Sequence, residues 1–353
     1  MLYPLKFKPL YKDYIWGGRN LETLGKTLPD SGIVAESWEV SCHKNGSSII
    51  ANGEFEGLSL PDLVERFGRE LMGNSLPHGD IDKFPLLIKF IDAENNLSVQ
   101  VHPDDAYAKS RENGEYGKNE MWYIISAKPG AKIVYDIVPG ITREMFAAAV
   151  LENRVESCLK SVEVFPGDAI NIPAGLVHAI GKGILLAEVQ QNSDTTYRVY
   201  DYGRVGRQLH IEKALEVIDF GSAGRREKYA GLEICLCNGC TKKIVIANQY
   251  FCTEIYHVNG KFDDNADGSK FVIYTFISGK GGILWDAGEM TVAMGESILI
   301  PASIGKYSLS GNFSALKAYI PDLEKDVLQP LKKSGKSMYE IFSEVGGLEA
   351  ALI

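Results

Sequence analysis

Gly167-Asp168-Ala169-Ile170-Asn171-Ile172-Pro173-Ala174-Gly175-Leu176-Val177-His178 recurs at the same spacing as Gly295-Glu296-Ser297-Ile298-Leu299-Ile300-Pro301-Ala302-Ser303-Ile304-Gly305-Lys306. Both stretches read as an acidic turn, a short apolar strand, a Pro-Ala corner and then one selected side chain. Glycine permits the tight turn, the strand runs through a barrel wall, and proline breaks it so that the last residue points into the mouth. A chain carrying this unit twice is expected to contain two copies of one β-architecture. The copies are unequal: Ser303 and Lys306 stand where the first copy has Gly175 and His178.

The pattern resembles the second motif of the cupin family, Gly-x5-Pro-x-Gly-x2-His, which belongs to a double-sheet jelly roll. The expected fold is therefore mainly β, two cupin-type jelly rolls with a few peripheral helices, only the N-terminal roll holding a metal. Short β-rich segments elsewhere agree: residues 132–138 (KIVYDIV), 184–190 (ILLAEVQ), 243–247 (KIVIA) and 270–277 (KFVIYTFI). Ser59-Leu60-Pro61-Asp62 starts a helix with a capping residue and an early proline, and Leu63, Val64, Phe67 and Leu71 give it an apolar stripe. Further helices are expected over about 142–151, 210–217 and 338–342. Near 221–242, glycine, charge and Cys235-x-Cys237-x2-Cys240 replace the hydrophobic pattern. A break there divides the chain into an N-terminal catalytic cupin domain with helical insertions, residues 1–235, and a degenerate cupin domain with a C-terminal tail, residues 236–353.

The 353 residues are 45% hydrophobic and 24% charged, a globular composition that excludes disorder and fibre. Apolar runs are far shorter than the roughly 20 residues of a membrane-spanning helix, and the opening MLYPLKFKPLYKDY lacks a signal-like apolar core. A soluble, cytoplasmic protein without a membrane partner is expected. With 37 Lys and Arg against 46 Asp and Glu, the net charge of −9 disfavours nucleic acid. A small anion remains a suitable partner, since a few cations in a cleft dominate at short range. Six cysteines in a chain this long do not make a disulfide scaffold, and the Cys235/Cys237/Cys240 cluster lacks the second pair of a zinc site.

A metal bound by His178 needs partners from another hairpin. In Leu97-Ser98-Val99-Gln100-Val101-His102-Pro103, Ser98, Gln100 and His102 alternate with apolar residues and share a strand face. Lys118 and Glu120 share a face in Gly117-Lys118-Asn119-Glu120-Met121-Trp122-Tyr123. Gln100, His102, Glu120 and His178 thus offer nitrogen and oxygen ligands suited to zinc or another divalent first-row ion. Gln100, an amide and a poor ligand, alternatively hydrogen-bonds the cluster. His43, His78, His210 and His257 read as surface or satisfied core residues. Downstream, Glu188 and Gln190 alternate on a strand, and Arg198 lies in a second β-like run. Arg198 is either a surface partner of Asp194 or Asp201, or a bidentate clamp for phosphate.

Together, Ile15-Trp16-Gly17-Gly18, Glu36-Ser37-Trp38-Glu39, Leu97 through Pro103, Gly117 through Tyr123, Ile172 through His178 and Gln190-Gln191-Asn192-Ser193-Asp194 through Tyr197-Arg198 resemble type I phosphomannose isomerases of the short bacterial form. The resemblance spans about residues 15–204 and implies a zinc-dependent interconversion of mannose 6-phosphate and fructose 6-phosphate, with one zinc per chain. It places the ligands at Gln100, His102, Glu120 and His178, active-site cations at Lys118 and Arg198, and substrate contacts at Lys89, Ser98, Arg198 and Trp16. Asn119 departs from the threonine usual in the family, and the tail beyond about 325 has no counterpart in it.

Aldose–ketose isomerisation moves a proton between C2 and C1 through an enediol. Zinc can stabilise the charge on the two sugar oxygens or act as a template. Glu188, a carboxylate not needed as a ligand, is the first candidate for the base, and Lys118 the second. Arg198 would fix the phosphate, using binding energy remote from the reacting carbons. The competing readings are another metal-dependent cupin enzyme, such as a dioxygenase or a different sugar-phosphate isomerase, and a noncatalytic sugar-phosphate-binding cupin. Oligomeric state is left open.

Overall fold

The computed structural model describes residues 1–76, 83–221 and 224–348; His78 lies outside them. Gly167 and Gly295, at equivalent places in the repeat, both have positive φ, 93° and 86°. Each opens a four-residue strand, Ala169–Ile172 or Ser297–Ile300, ending before Pro173 or Pro301. After the corner the copies diverge. Gly175 takes φ 84° in the first, whereas in the second that freedom moves to Gly305, φ 78°, which starts the long strand Gly305–Tyr319.

The fold is mainly β and built from antiparallel sheets, as the cupin motif implies. In the N-terminal half, two sheets face each other. The larger runs Lys228–Tyr229, Ala169–Ile172, Glu120–Ala127, Ile184–Gln191, Leu86–Ala93, Glu36–Val40 and Leu10–Lys12 in spatial order. The smaller runs Leu159–Glu163, Lys132–Ile137, His178–Ile180, Val99–Val101 and Tyr197–Tyr200.

Ile184–Gln191 is buried along its whole length, which accounts for its nearly continuous hydrophobic run. Alternate residues serve different cores. Leu185, Ala187 and Val189 join Leu299, Leu316 and Phe271 of the C-terminal half; Ile184 and Leu186 pack inside the N-terminal barrel with Trp122 and Ile133. Glu188 and Gln190 continue that inward face. The same alternation on Leu86–Ala93 sends Leu86, Ile88 and Phe90 to the shared core and places Lys89 on the opposite, inward side with Ile91.

The C-terminal half forms a larger antiparallel sheet around Cys252–Ala266, Val272–Trp285 and Gly305–Tyr319. The first strand of the chain, Leu5–Lys8, joins it, with Leu5 opposite Leu299. The expected break over 221–242 is interrupted in its second half. Leu232–Cys237 and Cys240–Ala247 form a hairpin with Cys237 opposite Cys240, because Leu232, Cys240 and Ile244 bury into the second core. All six cysteines are free.

Ser59 caps Leu60–Phe67 with a reciprocal box to Asp62. The expected stripe through Leu71 is split: Gly68 ends that helix, and Leu71 lies in a separate short helix, Arg69–Met72. Thr142 caps Arg143–Leu151, and Ile211–Val217 and Met338–Glu344 also form. The tail folds onto the second core through Val327, Leu331, Ile341 and Val345. Among the described residues no helix is long and apolar enough to cross a membrane.

Candidate active site

The facing sheets divide the chemistry. His178 begins a strand of the smaller sheet and is paired with Gln100; His102 follows the Gln100 strand directly. Glu120 begins a strand of the larger sheet opposite Gln190. One ligand atom from each of His102, Glu120 and His178 falls within 4.8 Å of the others, and all three residues are buried. His102 Nε2 lies 3.1 Å from Glu120 Oε1 and His178 Nε2 lies 3.9 Å from Glu120 Oε2. Gln100 Nε2 is 3.3 Å from His178 Nε2.

These donors suit a metal. Each histidine directs Nδ1 to a backbone carbonyl, His102 to Thr195 O and His178 to Leu176 O, both at 2.9 Å. With Nδ1–H donated outward, Nε2 is the bare nitrogen turned to the centre, the orienting contact typical of ligand histidines. Burial, reinforced by Lys118, pushes the His102 imidazolium down to about 3, and burial lowers His178 too. Both rings are neutral at pH 7, as ligation requires. Burial alone would raise the Glu120 carboxyl, but Lys118 and His102 hold it well below the usual range. Both Glu120 oxygens are buried without a hydrogen-bond partner among the described residues, and Lys118 Nζ stands at ion-pair distance, 2.8 Å, from Oε1. A buried carboxylate beside two imidazole Nε2 atoms, with only Lys118 and Gln100 nitrogens reaching into the group, fits a divalent cation.

Strand register builds the adjoining wall. Glu188 is opposite Trp122 on one side and Lys89 on the other, and Lys89 is opposite Trp38. Lys89 Nζ lies 3.3 Å from Glu188 Oε2 and 3.5 Å from Glu36 Oε2. Trp122 Nε1 donates to Glu188 Oε1 at 2.9 Å, and Trp38 Nε1 to Glu36 Oε2 at 2.6 Å. Burial, with the Glu120 charge, raises the Glu188 carboxyl to about 7, against the pull of Lys89. Burial alone would discharge Lys89; Glu36 and Glu188 reverse this and keep it cationic.

A pocket of about 290 Å³ joins the two groups and is lined by Gln100, Lys118, Glu120, Glu188 and Arg198, with Trp16, Lys89 and Ser98. Arg198 Nε donates to Ser98 Oγ at 3.2 Å and Nη1 to Gln208 O at 2.8 Å. Asp201 is engaged by Arg204 and Arg207, and Asp194 accepts from Asn45. Both carboxylates are thus engaged by partners other than Arg198. Asn119 bridges Gln191 Oε1 and Ala174 N, so this departure from the family pattern has a local hydrogen-bonding role. Of the other histidines, His43 is buried beside Glu115, while His257 is exposed and meets Ser314.

Tyr14, Glu36, Trp122, Asp194 and Arg207 also line the pocket and were not singled out from the sequence as site residues. Trp122 was accessible by parity, two residues beyond Glu120 on the same face. Arg207 was not, because only the loop after Tyr200 brings it back.

The chain matches two family models: "Phosphomannose isomerase type I, catalytic domain" over residues 4–127 and "Mannose-6-phosphate isomerase, cupin domain" over residues 241–320. It is 37% identical over 322 residues to mannose-6-phosphate isomerase ManA of Bacillus subtilis, covering 90% of this chain and 99% of that protein. It is 34% identical to a mannose-6-phosphate isomerase of Streptococcus mutans, with the same coverage of both chains. A crystal structure of the mannose 6-phosphate isomerase from Bacillus subtilis superposes with a TM-score of 0.81 at 32% identity, covering 90% of this chain and 99% of that one.

Proposed function

Since this chain belongs to the type I phosphomannose isomerase family and is a mannose-6-phosphate isomerase, we propose that it interconverts mannose 6-phosphate and fructose 6-phosphate by proton transfer through an enediol, with one zinc ion held by Gln100, His102, Glu120 and His178. Bound zinc supplies Lewis-acid stabilisation or orientation of the two sugar oxygens.

The remaining roles belong to the chain's own residues. Glu188, as carboxylate, takes the proton from C2; the C–H electron pair forms the C1–C2 double bond, and the displaced carbonyl pair on the aldehyde oxygen takes up a proton from solvent, to which the O2 proton is released in the second half, completing the enediol with no net change in protons. Return of the proton from Glu188 to C1, with loss of the O2 proton, gives the ketone. A carboxyl raised to about 7 is matched to this task at neutral pH. Lys118, tied to Glu120, is the cation placed to offset charge near the sugar oxygens. Arg198 and Ser98, already in contact and both lining the pocket, anchor the phosphate. Lys89 lines the same pocket, and its two carboxylate partners make it the cation that keeps Glu188 ionisable. Trp16 contributes an apolar wall for the sugar.

The observation carrying this proposal is that one pocket is lined by Glu120 of the buried His–Glu–His group, by Glu188, a carboxylate raised toward neutrality, and by Arg198. The test is a coupled assay on mannose 6-phosphate. Turnover is expected to vanish after chelation and return on adding zinc; full turnover in the chelated, metal-free enzyme would overturn it.

A further inference from the structure

A carboxylate that moves one proton between two adjacent carbons has to present the same oxygen to both, so whatever stops it rotating matters to the rate. Assuming the role proposed above for Glu188, we propose that Trp122 is a positioning residue: its indole N–H locks the Glu188 carboxylate in the working orientation, and its ring ties that orientation to the metal ligand His178.

Three observations support this. Trp122 Nε1 donates to Glu188 Oε1 at 2.9 Å while Lys89 approaches Oε2 at 3.3 Å, so each carboxylate oxygen has its own fixed partner. The Trp122 and His178 rings meet edge to face, centroids 5.5 Å apart and planes at 74°; one indole thus touches both the proposed base and a proposed zinc ligand. A related contact lies on the other side of Lys89, where tryptophan and ammonium meet on one oxygen, Glu36 Oε2. Trp38 Nε1 holds Glu36 Oε2, so each carboxylate flanking the buried ammonium is held by a tryptophan.

The choice of donor has a physical reason. A second cation on Glu188 would favour the ionised form and weaken it as a base, whereas a neutral N–H fixes the rotamer with a smaller effect on basicity. Trp122 is fully buried. A site that needed only volume would be filled by phenylalanine or leucine, with no N–H to satisfy.

The test replaces Trp122 by benzothienylalanine, an isostere with sulfur in place of the N–H, introduced by codon suppression, and by Trp122→Phe. For the isostere, kcat is expected to fall roughly ten- to hundredfold, the range for losing an orienting partner. KM should stay within about threefold and zinc content at one per chain. The kinetic isotope effect with mannose 6-phosphate deuterated at C2 should rise as proton transfer becomes more rate-limiting. An isostere with wild-type kcat, or one whose zinc is lost along with kcat, overturns the positioning role. Glu188→Gln runs alongside. If it remains active, the assignment of the base fails; if it is inactive while the isostere is fully active, only the role of Trp122 fails.

Discussion

Three adjacent strands in each barrel carry the same row of positions with the charges exchanged. In the first, Trp122, Glu188 and Lys89 lie side by side; in the second, Tyr274, Lys317 and Glu254 do. Both interiors are charged, and the cavity in the second, about 240 Å³, is nearly as large as the first. They differ in who satisfies the charge. Glu254 receives Lys242, Tyr256 and Tyr319, and Asp264 receives Lys317, Tyr274 and Tyr307. In the first barrel, Glu120 meets one ammonium, Lys118 at 2.8 Å from Oε1, and its oxygens otherwise face His102 Nε2 and His178 Nε2 with no phenol among the described residues closing them off. A carboxylate ringed by phenols and ammoniums is spent on the fold, whereas one that faces two imidazole nitrogens belongs to a donor set that could hold a metal. Duplication supplied the scaffold; satisfaction of the polar atoms separates the chemical barrel from the structural one.

Removing the carboxylate from the first row tests the contrast most severely. Glu188→Gln is expected to keep zinc and substrate binding while kcat falls by about 10² to 10⁴, the usual contribution of a general base. In the unaltered enzyme kcat should rise with pH through about 7, because the carboxyl must be ionised to accept a proton and burial has raised it there. A pH-independent rate in that range would break the assignment.

The corresponding change in the second row should affect stability rather than rate. Lys317→Met leaves Asp264 without its ammonium, and because Asp264 is only half-buried the loss should fall below the roughly 3–5 kcal/mol for breaking a fully buried pair. Chemical denaturation should register that loss while kcat per folded molecule stays unchanged; a comparable fall in kcat would make the second barrel part of the active site. The sign with pH follows from Asp264. Burial opposes its ionisation, but Lys317 and its hydrogen bonds lower it to about 2. Its contribution is therefore complete above the ordinary carboxylate range and is lost as pH falls toward 2. That acid dependence should weaken in the variant.

A smaller effect sharpens the first barrel alone. Arg198→Ala should raise KM for mannose 6-phosphate about ten- to hundredfold, the value of hydrogen bonds to a charged group, and change binding of unphosphorylated mannose far less. Equal losses for both sugars, measured by competition, would remove Arg198 from the phosphate.

The repeat at 167–178 and 295–306, the Pro corners and the alternation of polar residues determined the β class, the duplicated barrel and the faces carrying His102, Glu120, His178 and Glu188, because strand periodicity and glycine geometry are local properties. Of the hairpin at 232–247, the end of the second strand is legible in residues 243–247, whereas the first strand is not, because its polar face hides a buried one that only the second core defines. Sequence also could not place Trp122 against Glu188 or Arg207 in the pocket. Those neighbours are set by register between strands far apart in the chain, and register depends on how two sheets close over a common core. The chain alone therefore named the residues proposed to react. Only the closed barrel decided which carboxylates stay open to a ligand and which are consumed by their neighbours, since satisfaction is a property of contacts rather than of residues.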